Sequence, residues 1–168
     1  MTNYAMTTQF NRLRLTADGF VGWVSFDHLR AADPCPNDCG VYVVARPDKS
    51  VPRFLDRSCG GWFKDRDPTV NRSDLEANWV ADAEVVYIGK ANCIRRRLRE
   101  FAKFGAGQKI GHWGGRLIWQ LEEASRLLVA WKATPDIDPL VHEAKLLALF
   151  RDEYGKPPFA NNPHLLGR

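Results

Sequence analysis

Long hydrophobic runs are missing from this sequence of 168 residues. No stretch approaches the roughly 18 consecutive apolar residues that a membrane-spanning helix requires, so we predict no membrane partner. The opening residues, MTNYAMTTQF, also lack the basic segment followed by an apolar segment that marks a secretory signal. Both absences favour a cytoplasmic protein, and the hydrophobic content of 45% and charged content of 26% are typical of a globular one.

Cysteine is also scarce, with four residues in the chain. The spacing of Cys35, Cys39 and Cys59 would provide three ligands of a structural zinc site. However, Cys39 directly precedes a predicted strand, and neither a second cysteine pair nor a nearby histidine at ligand spacing completes the set. We therefore favour reduced thiols and keep zinc as the alternative.

Neither sign of charge dominates the chain, since the net charge is +4 and the pI is near 9.0. This mild excess alone says little about partners, but basic residues are concentrated in one predicted helix and just before it. A local basic patch is the electrostatic pattern expected for phosphate binding, although a solvated helix face would look the same. The residues predicted to bind a nucleic-acid backbone are Lys90, Arg95, Arg96, Arg99 and Lys103.

The chain shows no internal repeat, no low-complexity tract and no zinc finger, helix-turn-helix or other separate DNA-reading module. We divide it into an N-terminal extension, residues 1–34, and one domain, residues 35–168. Within the extension, a strand is predicted at 10–15 and an amphipathic segment at 23–29. Residues 46–83 are polar and rich in proline, glycine and arginine, which predicts a long insertion with one short helix.

Three strands and two long helices are predicted in the domain. Runs of β-branched and aromatic residues indicate strands at 40–45, 84–88 and 127–133. One helix is predicted from Asn92 to about Phe104. The other has its own boundary signals, namely Asp138 as N-cap, Pro139 at the first position and Gly155 as the stop. We expect an α/β fold of the α+β type, with a central, mainly antiparallel sheet of three strands flanked by helices.

Two charged residues fall on or beside apolar helix stripes when about 100° is allowed per residue. Arg97 lies at the border of the stripe on the basic helix. Glu143 lies within the apolar stripe of the last helix, which consists of Leu140, Ala144, Leu147, Phe150 and Tyr154. An ionised carboxylate there is costly unless a cation or hydrogen bonds compensate it. Glu143 is therefore either the partner of Arg97 or Arg151 in a buried ion pair, or a metal ligand.

Two tripeptides, Gly40-Val41-Tyr42 and Tyr87-Ile88-Gly89, lie on consecutive predicted strands. Lysine follows the second, and Arg97 comes ten positions after its tyrosine. Glu143 is in the first turns of a later helix, and Pro158-Phe159-Ala160-Asn161 follows that helix. In this order and spacing the residues resemble the GIY-YIG nuclease family, over residues 40–45 and 84 to about 162.

The resemblance implies a divalent-metal-dependent endonuclease that hydrolyses phosphodiester bonds in DNA, with RNA as an open alternative. Glu143 would be the single protein ligand of Mg²⁺, or of Mn²⁺, because Mg²⁺ takes few carboxylates and keeps several waters. Arg97 would hold the scissile phosphate. Tyr42 would be the general base or orient the attacking water, and its ordinary pKa of about 10 means that it needs a nearby positive charge.

The remaining motif residues would complete this site. Lys90 would supply the positive charge for Tyr42 or contact the phosphate. Tyr87 would line the same pocket, and Asn161 would orient Glu143 or a metal-bound water. Each of these residues also has an ordinary structural interpretation as a strand aromatic, a surface charge or a turn residue.

Two departures from the family pattern keep other classes open. Many members have His or Tyr one helical turn after the arginine, where this chain has Phe101, and His112 in the glycine-rich loop is the candidate substitute. The insertion at 46–83 is long, and it would either recognise substrate or cover the site. The alternatives are a non-catalytic nucleic-acid-binding protein of the same fold, and an interaction domain in which Glu143 and Arg97 form a buried ion pair.

Overall fold

The computed structural model describes residues 9–161 and shows an α+β fold built on one four-stranded antiparallel sheet. The predicted class, a mainly antiparallel sheet flanked by helices, is confirmed. The strand order across the sheet is β1-β4-β2-β3, so β2 is central and β3 is at an edge. The strands are β1 (Val21–Ser25), β2 (Gly40–Ala45), β3 (Val85–Ala91) and β4 (Leu128–Ala133).

Helices cover both faces of this sheet. Those of the described residues are α1 (Arg12–Ala17), α2 (Phe26–Ala32), α3 (Arg72–Asn78), α4 (Ile94–Gly105) and α5 (Pro139–Tyr154), with short 3₁₀ segments at Trp113–Gln120, Ala124–Arg126 and Phe159–Asn161. The predicted boundaries of α5 are confirmed, because the Asp138 side chain accepts a hydrogen bond from the Leu140 amide at 2.9 Å and Gly155 ends the helix with φ of 75°.

The sheet has four strands where the sequence predicted three. The additional strand, β1, comes from the predicted N-terminal extension and pairs with β4. Its register shifts between Gly22 and Val24, and Trp23 has φ of 55°, so the alternating pattern that reveals a strand is interrupted. The strand predicted at 10–15 is wrong, because the Asn11 side chain caps α1 there.

The two faces of the sheet carry separate hydrophobic clusters. Tyr42 and Tyr87 belong to the cluster that includes Leu98 and Phe101 of α4. Side chains that alternate with these, such as Ile88, belong to the cluster on the α5 side. The tyrosines of both tripeptides therefore project towards the arginine-bearing helix.

Gln120 connects the insertion at 46–83 to the rest of the fold by hydrogen bonds. Its Nε2 donates to the carbonyl oxygens of Leu55 and Val70, at 3.1 and 2.9 Å, and its Oε1 accepts from the Val70 amide at 2.7 Å. The Phe63 ring packs on Gly111, where a Cβ atom would lie 3.1 Å from the ring. The insertion thus supports the glycine-rich loop after α4.

Residues 9–161 include no helix that combines the length and the apolar character needed to cross a membrane. The cysteines in this part are free thiols, and those of Cys39 and Cys59 donate to different backbone carbonyls, of Thr134 and Trp119. Within the same range, no three His, Cys, Asp or Glu side chains group together as a metal site would require. The zinc alternative for Cys35, Cys39 and Cys59 therefore has no site.

Candidate active site

Two glycines allow the tyrosine of β2 to reach its position. Tyr42 lies opposite Gly89 of β3, and a Cβ atom at Gly89 would come within 2.5 Å of the Tyr42 ring. A Cβ atom at Gly40 would lie 2.1 Å from the Lys132 carbonyl oxygen on β4. A larger residue at either position would displace a strand or the ring. Packing therefore requires the glycine of each tripeptide.

A buried aromatic cluster surrounds the Tyr42 hydroxyl. The Tyr42 and Tyr87 ring centroids are 6.0 Å apart, and Tyr42 Oη lies 2.9 Å from Nε2 of His112. His112 stacks on Phe101, with ring centroids 3.6 Å apart and planes inclined by 3°. The sequence suggested His112 as the replacement for the His or Tyr that the family has at position 101. The Phe101 ring packs against this histidine. The structure brings His112 into direct contact with Tyr42.

The polar groups of this cluster are uncharged at neutral pH. Burial raises the pKa of Tyr42 to about 12, and the Arg97 charge opposes this only in part. Burial also raises the pKa of Tyr87 well above its ordinary value, and the neighbouring Tyr42 adds to the effect. Burial and Arg97 together hold the pKa of His112 well below its ordinary value. Tyr42 therefore needs a further interaction before it can act as a base near pH 7.

Arg97 is anchored beside the cluster by the glycine-rich loop. Its Nη1 donates to the Gly111 carbonyl oxygen at 3.0 Å and lies 3.4 Å from Oε2 of Glu100. The side chain is 31% exposed, so the guanidinium is held against the protein and still reaches solvent. The positive charge that favours ionisation of Tyr42 comes from Arg97, whereas the sequence assigned that part to Lys90.

Glu143 pairs with Lys90 at the α5 side of the sheet. Lys90 Nζ lies 3.1 Å from Oε2 of Glu143, and the two side chains are 46% and 16% exposed. The sequence suggested Arg97 or Arg151 as the partner, and the structure corrects this. Burial is the main cause of the raised pKa of both site tyrosines, and the Glu143 charge adds to it to a lesser extent.

The buried face of α5 agrees only in part with the predicted stripe. Phe150 of that stripe is buried and Leu140 is 53% exposed, whereas Leu146, outside the stripe, is buried. Glu143 faces inward together with Leu146 and Phe150, because positions three and four apart share one side of a helix. Apolar residues occur around most of this helix, so their spacing alone did not define the side that packs.

Asn161 contacts the backbone of the edge strand β3, whereas the sequence predicted that it would contact Glu143. Its Oδ1 accepts from the Ile88 amide at 2.8 Å, and its Nδ2 donates to the Ile88 carbonyl oxygen at 2.7 Å. Because β3 is an edge strand, these backbone groups face away from β2 and need another partner. Asn161 therefore holds the backbone between Tyr87 and Gly89, and the predicted contact with Glu143 is replaced by this one.

The outer face of α4 is basic but partly neutralised. Asp33 lies 2.7 Å from Arg95 Nη2 and 3.8 Å from Arg99 Nη1. Arg96 is exposed, and a cavity of about 360 Å³ is lined by these arginines and Lys103. The four predicted nucleic-acid contacts on α4 thus share one surface.

Glu143 has the donor chemistry that a divalent metal of this type needs. Mg²⁺ keeps several waters and takes one or two carboxylates together with substrate oxygens, so one protein carboxylate is sufficient. The Lys90 ammonium lies 3.1 Å from this carboxylate, so a metal ion there would displace the ammonium or share the carboxylate with it. The assignment of Mg²⁺ or Mn²⁺ to Glu143 stays a prediction.

Comparison with known proteins adds no family assignment, since no protein-family model, curated protein or solved structure matches the chain. The GIY-YIG resemblance rests on the tripeptides and the residues that follow them, and it stays a prediction.

Sequence reasoning assigned no role to Arg116, although the structure buries it close to the cluster. The signal present in the sequence was an aromatic and a basic residue among glycines, GHWGGR. None of the predicted site residues lines the cavity of about 570 Å³ formed by Ser50, Val51, Arg53, Glu122, Glu123 and Arg126.

Proposed function

We propose that the protein is a divalent-metal-dependent endonuclease that hydrolyses phosphodiester bonds in DNA. RNA, which has the same linkage, is the alternative substrate. The observation that supports this most is the convergence of Tyr42, His112 and Arg97 at one corner of the sheet. A phenol hydrogen-bonded to an imidazole, beside a partly exposed guanidinium, combines a proton acceptor with a phosphate-binding group.

In this proposal Arg97 binds the scissile phosphate, because its guanidinium presents several donors to the charge that grows in the transition state. With the imidazole proton on Nδ1, His112 Nε2 accepts the hydrogen bond of the Tyr42 hydroxyl. A Tyr42 lone pair then takes a proton from the attacking water while the phenol proton moves to Nε2. The hydroxide oxygen bonds to phosphorus, the bond to the leaving oxygen breaks, and that oxygen takes a proton from solvent.

Substrate binding assists this proton transfer. Burial and Arg97 disfavour an imidazolium at His112 in the free protein. A bound phosphate anion offsets the Arg97 charge and so favours the protonated imidazole. Tyr87 is buried beside Tyr42 and His112, at 7% exposure.

Glu143 and Lys90 form the cation-binding part of the proposed site. Lys90 neutralises Glu143 in the free protein, and its flexible side chain can turn towards the substrate phosphate. Mg²⁺ or Mn²⁺ held by Glu143 would polarise the phosphodiester and stabilise the leaving oxygen.

The basic face of α4 gives the proposed enzyme its affinity for the nucleic-acid backbone. Arg96, Arg99 and Lys103 contact phosphates without reading sequence, so binding weakens as salt increases. The free thiols agree with the reducing cytoplasm, where we place the protein.

A non-catalytic nucleic-acid-binding protein is the second candidate, and one observation favours it. Burial raises the pKa of Tyr42 to about 12 and holds that of His112 well below its ordinary value, so the free protein disfavours the imidazolium that proton transfer to His112 would form. Such a protein would bind DNA with the same salt dependence and would leave the strand intact.

Nicking of supercoiled plasmid with Mg²⁺ or Mn²⁺ separates the two candidates. Wild type should nick only when metal is present, and Tyr42→Phe should reduce the rate at least about 100-fold, the lower end of general acid–base catalysis. Tyr154→Phe is the matched control, because it removes one hydroxyl from α5 outside the site and should nick like wild type. A wild type that binds plasmid without nicking it supports the second candidate.

A further inference from the structure

Two arginines are buried in residues 9–161, and their surroundings differ. Arg46 donates to Glu123 Oε1 at 2.6 Å and to the Ser50 carbonyl oxygen at 2.7 Å. Arg116 is 7% exposed, and no carboxylate in this range lies within ion-pair distance of it. Its one described hydrogen bond, to the Trp113 carbonyl oxygen, is long at 3.4 Å. Arg116 is therefore a buried cation whose charge the described fold does not compensate.

Burial without a counter-charge is costly for Arg116. Desolvation lowers the pKa of this guanidinium to about 10, and no acidic group opposes the shift. The group stays charged at neutral pH all the same. An uncompensated buried cation lowers the stability of the folded protein. An anionic ligand bound to it would restore that stability.

Trp113 places a second unpartnered donor beside Arg116. The guanidinium carbon lies 4.7 Å from the centroid of the Trp113 ring, so the cation rests over the indole face. The indole Nε1 is buried and has no hydrogen-bond partner in the described part of the chain. Both donors belong to neighbouring side chains and lack a strong acceptor in the described residues, and one anion with several oxygen atoms, such as a phosphate, would satisfy both.

The glycines between these two residues pack against the buried aromatic cluster. A Cβ atom at Gly114 would lie 3.2 Å from the Tyr87 hydroxyl oxygen. A Cβ atom at Gly115 would lie 3.1 Å from His112 Cε1 and 2.5 Å from the Phe101 ring. The donor pair is therefore adjacent to the proposed cleavage site, on the side of Tyr87.

We propose that Arg116 and the Nε1 group of Trp113 form a second phosphate subsite, which binds the backbone phosphate next to the scissile one. The identity of the ligand rests on the proposed nuclease function. The donor pair itself needs only a nucleic-acid strand that lies across the Tyr87 side of the cluster, whether or not that strand is cut.

Salt dependence of DNA binding tests this subsite without metal. Fluorescence anisotropy of a labelled duplex would be measured with the full chain over a range of NaCl concentrations. Arg116→Met should reduce the slope of log K against log salt by about 0.9, because one phosphate contact is lost. Trp113→Phe should lower affinity roughly tenfold without changing the slope, since it removes a donor and no charge. The control Arg151→Met, an exposed arginine of α5, should change neither quantity.

Melting temperatures distinguish a ligand-binding role from a structural one. In phosphate-free buffer Arg116→Met should melt no lower than wild type, and inorganic phosphate should raise the melting temperature of wild type alone. A lower melting temperature in the variant, or an unchanged salt slope without stabilisation by inorganic phosphate, overturns the subsite. Stabilisation by inorganic phosphate with an unchanged DNA slope assigns the site to free phosphate and overturns the nucleic-acid assignment. The expected slopes together with no plasmid nicking refute the nuclease and support the subsite.

Discussion

Replacing Glu143 by glutamine separates its two interpretations, as a metal ligand and as a structural ion pair. Lys90 is 46% exposed and Glu143 is 16% exposed, so water screens the pair and solvates the lysine once its partner is gone. Pairs of this kind contribute about 0.2–1 kcal/mol to stability. For a chain of this length, 1 kcal/mol corresponds to a change in melting temperature of about 2–4 °C.

The Arg46–Glu123 pair provides the internal standard for this measurement. Its side chains are 3% and 8% exposed and lie 2.6 Å apart, so Glu123→Gln leaves a buried arginine without its charge partner. Breaking such a pair costs about 3–5 kcal/mol. Glu123→Gln should therefore melt much lower than Glu143→Gln.

Thermal melts and plasmid nicking would be carried out on wild type and both variants. Glu143→Gln should keep a near-native melting temperature and lose metal-dependent nicking, and metal should raise the melting temperatures of wild type and Glu123→Gln but not that of Glu143→Gln. If Glu143→Gln melts as low as Glu123→Gln, the residue serves a structural ion pair. If it melts like wild type and still nicks, Glu143 does not hold the metal.

Three further predictions concern the tyrosine cluster and the sheet edge. Gly89→Ala places a Cβ atom 2.5 Å from the Tyr42 ring. It should lower the free energy of unfolding in urea by about 1–3 kcal/mol. An unchanged urea midpoint would show that the ring moves freely. His112 has a folded pKa well below 6.5, so the unfolded chain binds more protons in acid, and stability should fall by up to about 1.4 kcal/mol per pH unit as the pH drops below 6.5. His112→Gln should weaken that pH dependence, and an identical profile in the variant would contradict the assignment. Asn161→Ala leaves the Ile88 amide and carbonyl groups without their side-chain partner, so it should lower the free energy of unfolding by about 1–3 kcal/mol. Amide hydrogen exchange at Ile88 should be faster than in wild type. Unchanged exchange would argue against this contact.

Local chemistry made several elements predictable from the sequence. The limits of α5 follow from an N-cap side chain, a proline that needs no amide donor and a glycine at positive φ, all of which act within one turn. β2 and β3 follow from β-branched and aromatic runs. Helix α1 was missed because the apolar residues from Phe10 to Leu15 suggested a strand, whereas the Asn11 cap decided the conformation.

Contacts between distant segments were harder to predict. Lys90 and Glu143 are 53 positions apart, and helical periodicity carries no information about which cation meets an inward carboxylate. The contact of Asn161 with Ile88 spans 73 positions and depends on β3 being at the sheet edge. Arg116 is a single basic residue in a glycine-rich turn, so neither periodicity nor motif spacing indicated that it would be buried.

The pairing of Asn161 with Ile88 has a consequence for self-association. An edge strand with open amide and carbonyl groups is a template on which a strand of another molecule can add. The Asn161 side-chain amide has the same donor and acceptor as a peptide group, and it occupies the middle of the β3 edge in place of such a strand. A single side chain after α5 thereby occupies the backbone groups of Ile88 to which an added strand would bind.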